Sequence, residues 1–433
     1  MDELLEGLKD ADPDNRAECA RKLGIDGIHE AVPHLVRALK DKEPLVRANA
    51  ALALGHLKPS RKSVEALIPM LADEEWMVRH DASMALGELG DMHAVAPLVD
   101  LLSDPVLEVR MKAVDALGKL GDEKGLQALE KHVDDLEVLD ELVLAFSRNK
   151  CNHSLIKLYD MGSDDIRIKA IGGIEPDMAH EEVFLRAIKD DSWRVREEAA
   201  KALGVMNTEA SVKGLRKLLR DSSHYVVIQA LRALVKVEDR DSLEKLESLG
   251  EHPESAVRGE WARTTAALGG DFRDILDAFL YENDSRTKWV MAESMGEDTG
   301  FRDELEGAYR DAVGDEKVLL ACSLAWSGDK TGLDDILEAM VDMRWKVRQK
   351  ATEAVTNIQW DTLNKKERKA LMRTMEGLLE DTDKWVRIAS IKALWTISRG
   401  NEEEGKVRDL LEKVKDSEMD PDVMEALGYQ NFK

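Results

Sequence analysis

Hydrophobic positions recur along this chain in blocks that read V-R-x-x-A-x-x-A-L-G. The blocks are clearest in LVRANAALALGHL, MVRHDASMALGEL, EVRMKAVDALGKL and RVREEAAKALGVM, which start at Leu45, Met77, Glu108 and Arg194. The apolar residues are three and four positions apart, as on one face of an α-helix. The glycine predicts either the end of that helix or a thinner last turn.

The blocks repeat at a nearly constant period. When the valine is taken as the anchor, successive anchors are 28 to 32 residues apart, except for a last step of 39. The thirteen anchors are Asn15, Val46, Val78, Val109, Val138, Ile166, Val195, Val226, Val257, Thr287, Glu316, Val347 and Val386. A fixed period of this length is typical of repeat architectures.

A second apolar segment precedes each block, for example HEAVPHLVRALKD and SVEALIPMLAD. Prolines recur in it as Pro33, Pro69 and Pro97, which we expect near the start of a helix, where backbone N–H groups lack helical partners. Each unit of about 30 residues is therefore predicted to be a helix–turn–helix. A single unit cannot bury its apolar face alone, so neighbouring units must stack.

An arginine usually follows the anchor, and an aspartate usually stands six residues before that arginine. The aspartate lies in the turn, where it can cap the second helix. We predict a structural ladder of Arg–Asp contacts along the stack, in preference to a basic stripe for an anionic ligand. The residues predicted to form this ladder are Arg47, Arg79, Arg110, Arg196, Asp41, Asp73, Asp104 and Asp190.

These motifs resemble HEAT repeats, specifically the short HEAT-like type associated with phycobilisome lyases. The resemblance rests on AVPHL…LKDKEPLVRANAALALG, AVAPLVDLLSDPVLEVRMKAVDALGKLGD and DDSWRVREEAAKALG, and it covers roughly residues 1–400. It implies an all-α fold, a right-handed α-solenoid (superhelix) of about thirteen two-helix HEAT-like repeats. It also implies a scaffold for protein binding, because the family is only rarely catalytic.

We predict one continuous array over residues 1–400, followed by capping helices over 401–433. The array is expected to be irregular at 134–176, where units shorten, and to carry an insert at 360–380. A polar end cap is what a stacked array needs to shield its last apolar face.

Composition and net charge limit the classes of partner and the cellular location. The chain has 433 residues, of which 43% are hydrophobic, and a formal charge of −25. Such a field disfavours nucleic acid and anionic lipid surfaces as partners, and it suits a protein partner with a basic or helical surface. Three dispersed cysteines, an acidic N-terminus and the lack of a long apolar run predict a cytoplasmic protein without a membrane span.

No catalytic constellation is found, so we predict no enzyme activity, no metal and no cofactor. Phosphate-binding loops, the nucleophile elbow and H-E-x-x-H are absent from the sequence. Deoxyhypusine hydroxylases are a HEAT-like family that needs several His-Glu pairs after the repeat arginine, whereas only His80-Asp81 occupies that slot here. A bilin-lyase-like role stays open, because such sequences offer little beyond the repeats.

Tryptophan is the most informative residue type for binding. Trp76, Trp193 and Trp345 occupy one repeat position, two residues before the anchor, and Trp385 is one residue away from it. Their rings either plug the turn against the next unit or form an aromatic edge that anchors a partner. Polar candidates on the second helices are Glu197, Glu198, Lys201 and Arg232.

The function predicted from the sequence is a non-catalytic scaffold or adaptor that binds another protein, as a subunit or assembly factor of a larger complex. The alternative is a lyase or chaperone that handles a cofactor-bearing protein. An absorption spectrum after incubation with candidate cofactors would separate the two.

Stacking alone generates one prediction. Ala50→Asp or Ala113→Asp should destabilise the chain by several kcal/mol, because either change buries an unpaired charge. Thermal unfolding followed by circular dichroism measures the loss. An unchanged midpoint would refute the assignment of these alanines to the packed face.

Overall fold

The computed structural model describes residues 1–296 and 301–428, and every regular element in these two ranges is a helix. The helices form antiparallel pairs that stack in sequence order. The predicted all-α solenoid of two-helix units is therefore confirmed.

The chain divides into two compact units, residues 1–211 and 212–433. The helices that begin in the first unit are α1 Asp2–Gly7, α2 Pro13–Ile25, α3 Val32–Ala38, α4 Pro44–His56, α5 Arg61–Leu67, α6 Trp76–Leu89, α7 Val95–Asp100, α8 Leu107–Leu120, α9 Glu123–Glu130, α10 Leu139–Arg148, α11 Asn152–Met161, α12 Asp164–Gly173, α13 Glu181–Ala187, α14 Trp193–Met206 and α15 Glu209–Leu218. The even-numbered helices carry the repeat block, and each packs on the next even-numbered helix from α2 to α14.

The second unit continues with the same alternation. Its helices are α16 His224–Lys236, α17 Leu243–Leu246, α18 Ser255–Leu268, α19 Phe272–Tyr281, α20 Ser285–Met295, α21 Arg302–Asp311, α22 Asp315–Trp326, α23 Leu333–Ala339, α24 Trp345–Ala354, α25 Lys365–Gly377, α26 Lys384–Ser398, α27 Glu404–Ser417 and α28 Pro421–Gly428. Helices α16 to α26 pack in series through their even-numbered members, and both α27 and α28 pack on α26.

The core follows the repeat pattern. The anchor valines and the alanine and leucine positions of each block are almost fully buried, and Ala50 and Ala113 are both inaccessible to solvent. Small residues at these positions allow the second helices to approach each other closely. Burial of this shared face is what joins one unit to the next.

The repeat glycine marks the closest approach of consecutive second helices. A Cβ atom built on Gly55 would lie 2.7 Å from the Cα atom of Ala85, and one built on Gly24 would lie 2.5 Å from the Cα atom of Ala53. These glycines lie inside the last turn of their helices and do not end them. Helix α6 ends instead at Gly90, which has a left-handed φ of 72°.

The prolines of the first helices do not all lie where the sequence suggested. Pro33 is at the start of α3, as expected. Pro69 follows the end of α5, and the chain continues as a 3-10 helix over Ile68–Ala72. Because proline lacks an N–H group and clashes with the preceding turn, it stops the α-helix at Leu67.

Close approach at the repeat glycine generates a prediction. Gly55→Ala should destabilise the protein by about 1–3 kcal/mol, because the new methyl group overlaps the backbone of Ala85 and the gain in helix propensity does not offset the overpacking. The midpoint of thermal unfolding measures the effect.

Gly307→Ala is the matched control. Gly307 lies within α21, and a Cβ atom there would meet nothing within 4 Å. This control should stabilise the protein by up to about 1 kcal/mol through helix propensity alone. Equal effects of the two variants would contradict the packing described here.

Candidate functional site

In several units, an arginine at the start of the second helix bonds an aspartate of the next unit of the stack. The Nε and Nη2 atoms of Arg47 donate to the two carboxylate oxygens of Asp73 at 2.8 and 2.7 Å, and Arg79 bonds Asp104 in the same way at 2.7 and 3.0 Å. The aspartate of the arginine's own unit contributes only a backbone carbonyl, as Asp41 does to Arg47 at 3.0 Å. Each rung of the ladder therefore joins consecutive units.

Other Arg–Asp rungs differ in their hydrogen-bond partners. Arg110 donates to Asp135 at 3.0 Å and also to Glu137. Asp190 accepts two bonds from Arg167, at 3.1 and 2.9 Å, and its backbone carbonyl accepts one from Arg196 at 2.8 Å. Bidentate pairing with a carboxylate suits the planar guanidinium group and fixes its orientation.

The aspartate of each rung braces the turn between two helices. Asp41 accepts the backbone N–H of Glu43 at 3.0 Å, and Asp73 accepts that of Glu75 at 3.0 Å. Helices α4 and α6 begin after these glutamates, and neither has a side-chain N-cap. The expectation that the aspartate caps the second helix is wrong in these units, since the residue lies two positions too early.

Paired arginines also set the ionisation of the rung aspartates. The hydrogen bonds from Arg16 hold the pKa of Asp41 below its ordinary value, and the coulombic attraction acts in the same direction. For Asp73, burial raises the pKa, but bonds from Arg47 and from the N–H of Glu75 outweigh it, so the net shift is downward. The carboxylates are thus stabilised in their charged form.

The four candidate tryptophans lie in the first turn of second helices, and they differ in exposure. Trp76 and Trp385 expose 42% and 45% of their surface, whereas Trp193 and Trp345 are half-buried. Trp345 packs against the core of the second unit. Cations stack on three of these rings, as with Lys346 over Trp345 at 5.5 Å from the ring centre.

The polar candidates on the second helices form ion pairs. Lys201 bonds Glu198 at 2.7 Å and Glu197 at 3.1 Å. Arg232 bonds Glu260 of the following second helix at 3.0 Å. These side chains form ion pairs within their own compact units.

A set of exposed apolar residues was missed by the sequence reasoning. Five of them, here called the turn strip, lie at or beside the turns before α20, α22, α24 and α26: Tyr281, Val313, Val341, Met343 and Trp385. Met343 is 93% exposed, Tyr281 85% and Val313 78%. A signal was available, because Met343 follows its ladder aspartate at the position where Lys42 and Glu74 stand in earlier units.

Metal-binding and membrane-spanning features are not found in the described part of the chain. Among residues 1–296 and 301–428, no three His, Cys, Asp or Glu side chains are placed to hold one metal ion. His80 bonds Asp81 at 2.8 Å. Within the same ranges, no helix combines the length and the apolar character needed to cross a bilayer.

Comparison with known protein families gives a result that agrees with this fold. A family model described as HEAT repeats matches residues 1–74, 64–145 and 154–234, which is just over half of the chain. The chain therefore belongs to the HEAT-repeat family. No curated protein matches the sequence significantly.

Solved structures give the same architecture. The karyopherin Kap121p bound to the SUMO protease Ulp1p matches 98% of this chain with a TM-score of 0.59 and 15% identity, and the match covers 52% of the Kap121p chain. Kap95p, from a complex with RanGDP, matches 98% of this chain and 65% of its own with a TM-score of 0.58 and 13% identity. This chain spans about half of the length of Kap121p, and identities this low show the fold alone.

A lyase structure is similar over a shorter region. The CpcE–CpcF complex of phycocyanin lyase from Nostoc sp. PCC7120 matches 47% of this chain and 87% of its own, with 20% identity and a TM-score of 0.32. A superposition this poor carries no argument about function.

The rungs generate a prediction about acid stability. Asp41→Asn should lower the free energy of unfolding at pH 7 by about 1–3 kcal/mol, because Arg16 loses its charged partner. Since the folded pKa of Asp41 is lowered, its contribution is complete above the unfolded pKa of about 4 and is lost as pH falls through the folded pKa. The gap between wild type and variant should therefore close in acid.

Urea unfolding at a series of pH values from 7 to about 2 measures this gap. Asp26→Asn is the control, because Asp26 is exposed at the end of α2 and its carboxylate has no bonding partner in the described structure. A gap for Asp41→Asn that stays constant with pH would show that the rung makes no ionic contribution.

Proposed function

We propose that this chain is a non-catalytic scaffold or adaptor that binds another protein, as a subunit or assembly factor of a larger complex. The observation that carries the proposal is the exposure of Trp76 and Trp385, both in the first turn of a second helix. Large aromatic side chains that stand in solvent are over-represented among the residues that dominate binding at protein interfaces.

The arrangement of the rest of the chain supports the proposal. Arg–Asp rungs hold consecutive units in register, so the exposed rings are presented on rigid elements. Rigid presentation lowers the entropy lost on association. The net charge of −25 favours a partner with a basic surface, since complementary charge speeds encounter and rejects acidic competitors.

The structural relatives are consistent with this use of the fold. Solved structures show Kap121p bound to Pho4p, to RanGTP and to the SUMO protease Ulp1p. Pho4p, RanGTP and Ulp1p are partners of the karyopherin. We place the proposed complex in the cytoplasm.

A pull-down with the tagged full chain from its native cytosol, in mild salt and with mass spectrometry, tests the proposal. We expect a stoichiometric protein partner that Trp76→Ala/Trp385→Ala no longer retains. Met92→Ala/Met178→Ala is the control, because it removes two exposed apolar side chains outside the tryptophan positions.

An empty column, repeated with cross-linking, would argue against the scaffold. An absorption band that appears on incubation with candidate cofactors would then favour a chaperone or lyase for a cofactor-bearing protein. Equal retention of the partner by the wild-type chain and the tryptophan variant would show that these two rings are not the contact.

A further inference from the structure

The turn strip combines high exposure with apolar character over four consecutive units. Its residues are Tyr281, Val313, Val341, Met343 and Trp385, all in the second compact unit. Single exposed apolar residues are common on soluble proteins, but an apolar set on neighbouring elements marks an interaction surface. The corresponding turns are charged in two earlier units, as Lys42-Glu43 and Glu74-Glu75.

The turns of the strip are held side by side. Arg344 bonds Asp315 of the preceding unit at 2.7 and 2.8 Å, which places the turn of Met343 next to the turn of Val313. Arg348 bonds Asp381 at 2.7 Å with both Nε and Nη2, which ties α24 to the turn before Trp385. The turns of Val313, Met343 and Trp385 therefore follow one another along one edge of the stack.

The surroundings of the strip are acidic. Five aspartates lie in the same turns or at their ends: Asp284, Asp311, Asp315, Asp342 and Asp383. Arg344 bonds both Asp315 and Asp342, and Lys384 bonds Asp422. Two further cations beside these turns, Arg286 and Lys346, are exposed and have no ion pair in the described structure. The carboxylates of Asp284, Asp311 and Asp383 have no ion pair in the described structure, and the chain has a net charge of −25. An apolar row beside such carboxylates favours an occupant that is apolar on one side and basic at its borders.

The spacing of the strip fits a helix. Turns of stacked helical units about 8–10 Å apart resemble the rise of about 10.5 Å over seven residues of an α-helix, and four turns span roughly 25–30 Å. A helix of about 17–20 residues has that length. Its apolar residues, repeated at three- and four-residue steps, would meet one turn after another.

We propose that the turn strip binds a basic amphipathic helix of a partner protein. This inference rests on the proposed scaffold function and names the chemistry of the partner segment. The apolar face of the helix lies on Val313, Met343 and the other strip residues, and its lysines or arginines meet the aspartates of the turns. Trp385 forms the aromatic end of the surface.

Two synthetic peptides of 21 residues test the proposal against the full chain. Both carry leucine at the same helical spacing, and the remaining positions are lysine in one and glutamate in the other. By fluorescence anisotropy, the Leu/Lys peptide should bind at least about tenfold more tightly than the Leu/Glu peptide. Its affinity should fall as salt is added, because screening weakens its contacts with the aspartates.

A double variant separates the strip from the general acidity of the chain. Val313→Ser/Met343→Ser removes exposed apolar surface without a change of charge, so the fold should be unaffected. The variant should bind the Leu/Lys peptide at least about tenfold more weakly. Leu136→Ser/Met178→Ser is the matched control, because both residues are exposed apolar side chains in the other compact unit, and it should bind as the wild type does.

Several results would overturn the proposal. Equal affinity for the two peptides, or equal affinity of the wild type and the Val313→Ser/Met343→Ser variant, would show that the strip is not the contact. Sedimentation of the wild type as a dimer and of the variant as a monomer would assign the strip to a second copy of the chain. Retention on neutral lipid vesicles without peptide binding would assign it to a membrane.

The scaffold proposal and the strip proposal fail in different ways. If the Val313→Ser/Met343→Ser variant still retains the native partner in a pull-down, the scaffold stands and the strip is refuted as its contact. If the wild-type chain retains no partner but binds the Leu/Lys peptide through the strip, the strip stands and the scaffold proposal is refuted.

Discussion

Each unit of this chain depends on the close contact between the second helices of consecutive repeats. Gly55 meets Ala85 at a distance that leaves no space for a Cβ atom, and Gly24 meets Ala53 in the same way. Only small residues permit this approach, and the approach is what buries the apolar face that one helix pair cannot bury alone. The position of this contact also decides which parts of each helix pair stay exposed.

The Arg–Asp rungs add directional restraint to that packing. Hydrophobic burial does not specify orientation, whereas the bidentate pair of Arg47 and Asp73 sets both the distance and the angle between two units. The aspartate also accepts a backbone N–H of its own turn, so one carboxylate braces the turn and joins the neighbouring unit. Rungs of this kind occur in both compact units, for example at Arg16–Asp41 and at Arg348–Asp381.

The same geometry underlies the site that we propose for a partner. Residues that face the neighbouring unit are committed to packing or to rungs, and the polar candidates Lys201 and Arg232 are committed to local ion pairs. In the turns before the second helices, the ladder aspartate forms a rung, whereas several of the side chains that follow it are exposed. It is there that Trp76, Met343 and Trp385 stand in solvent, next to aspartates that favour a basic occupant.

The sequence by itself determined the helical period, the two-helix unit, the stacking face and the residue types of the ladder, because each is encoded by spacing within a repeat of about 30 residues. Only the tertiary structure decided that Arg47 takes Asp73 of the next unit, that Gly55 serves close approach and not helix termination, and that Pro69 ends α5. It alone also revealed the turn strip. Partner choice and exposure depend on which elements become neighbours, and local patterns of polarity carry no such information.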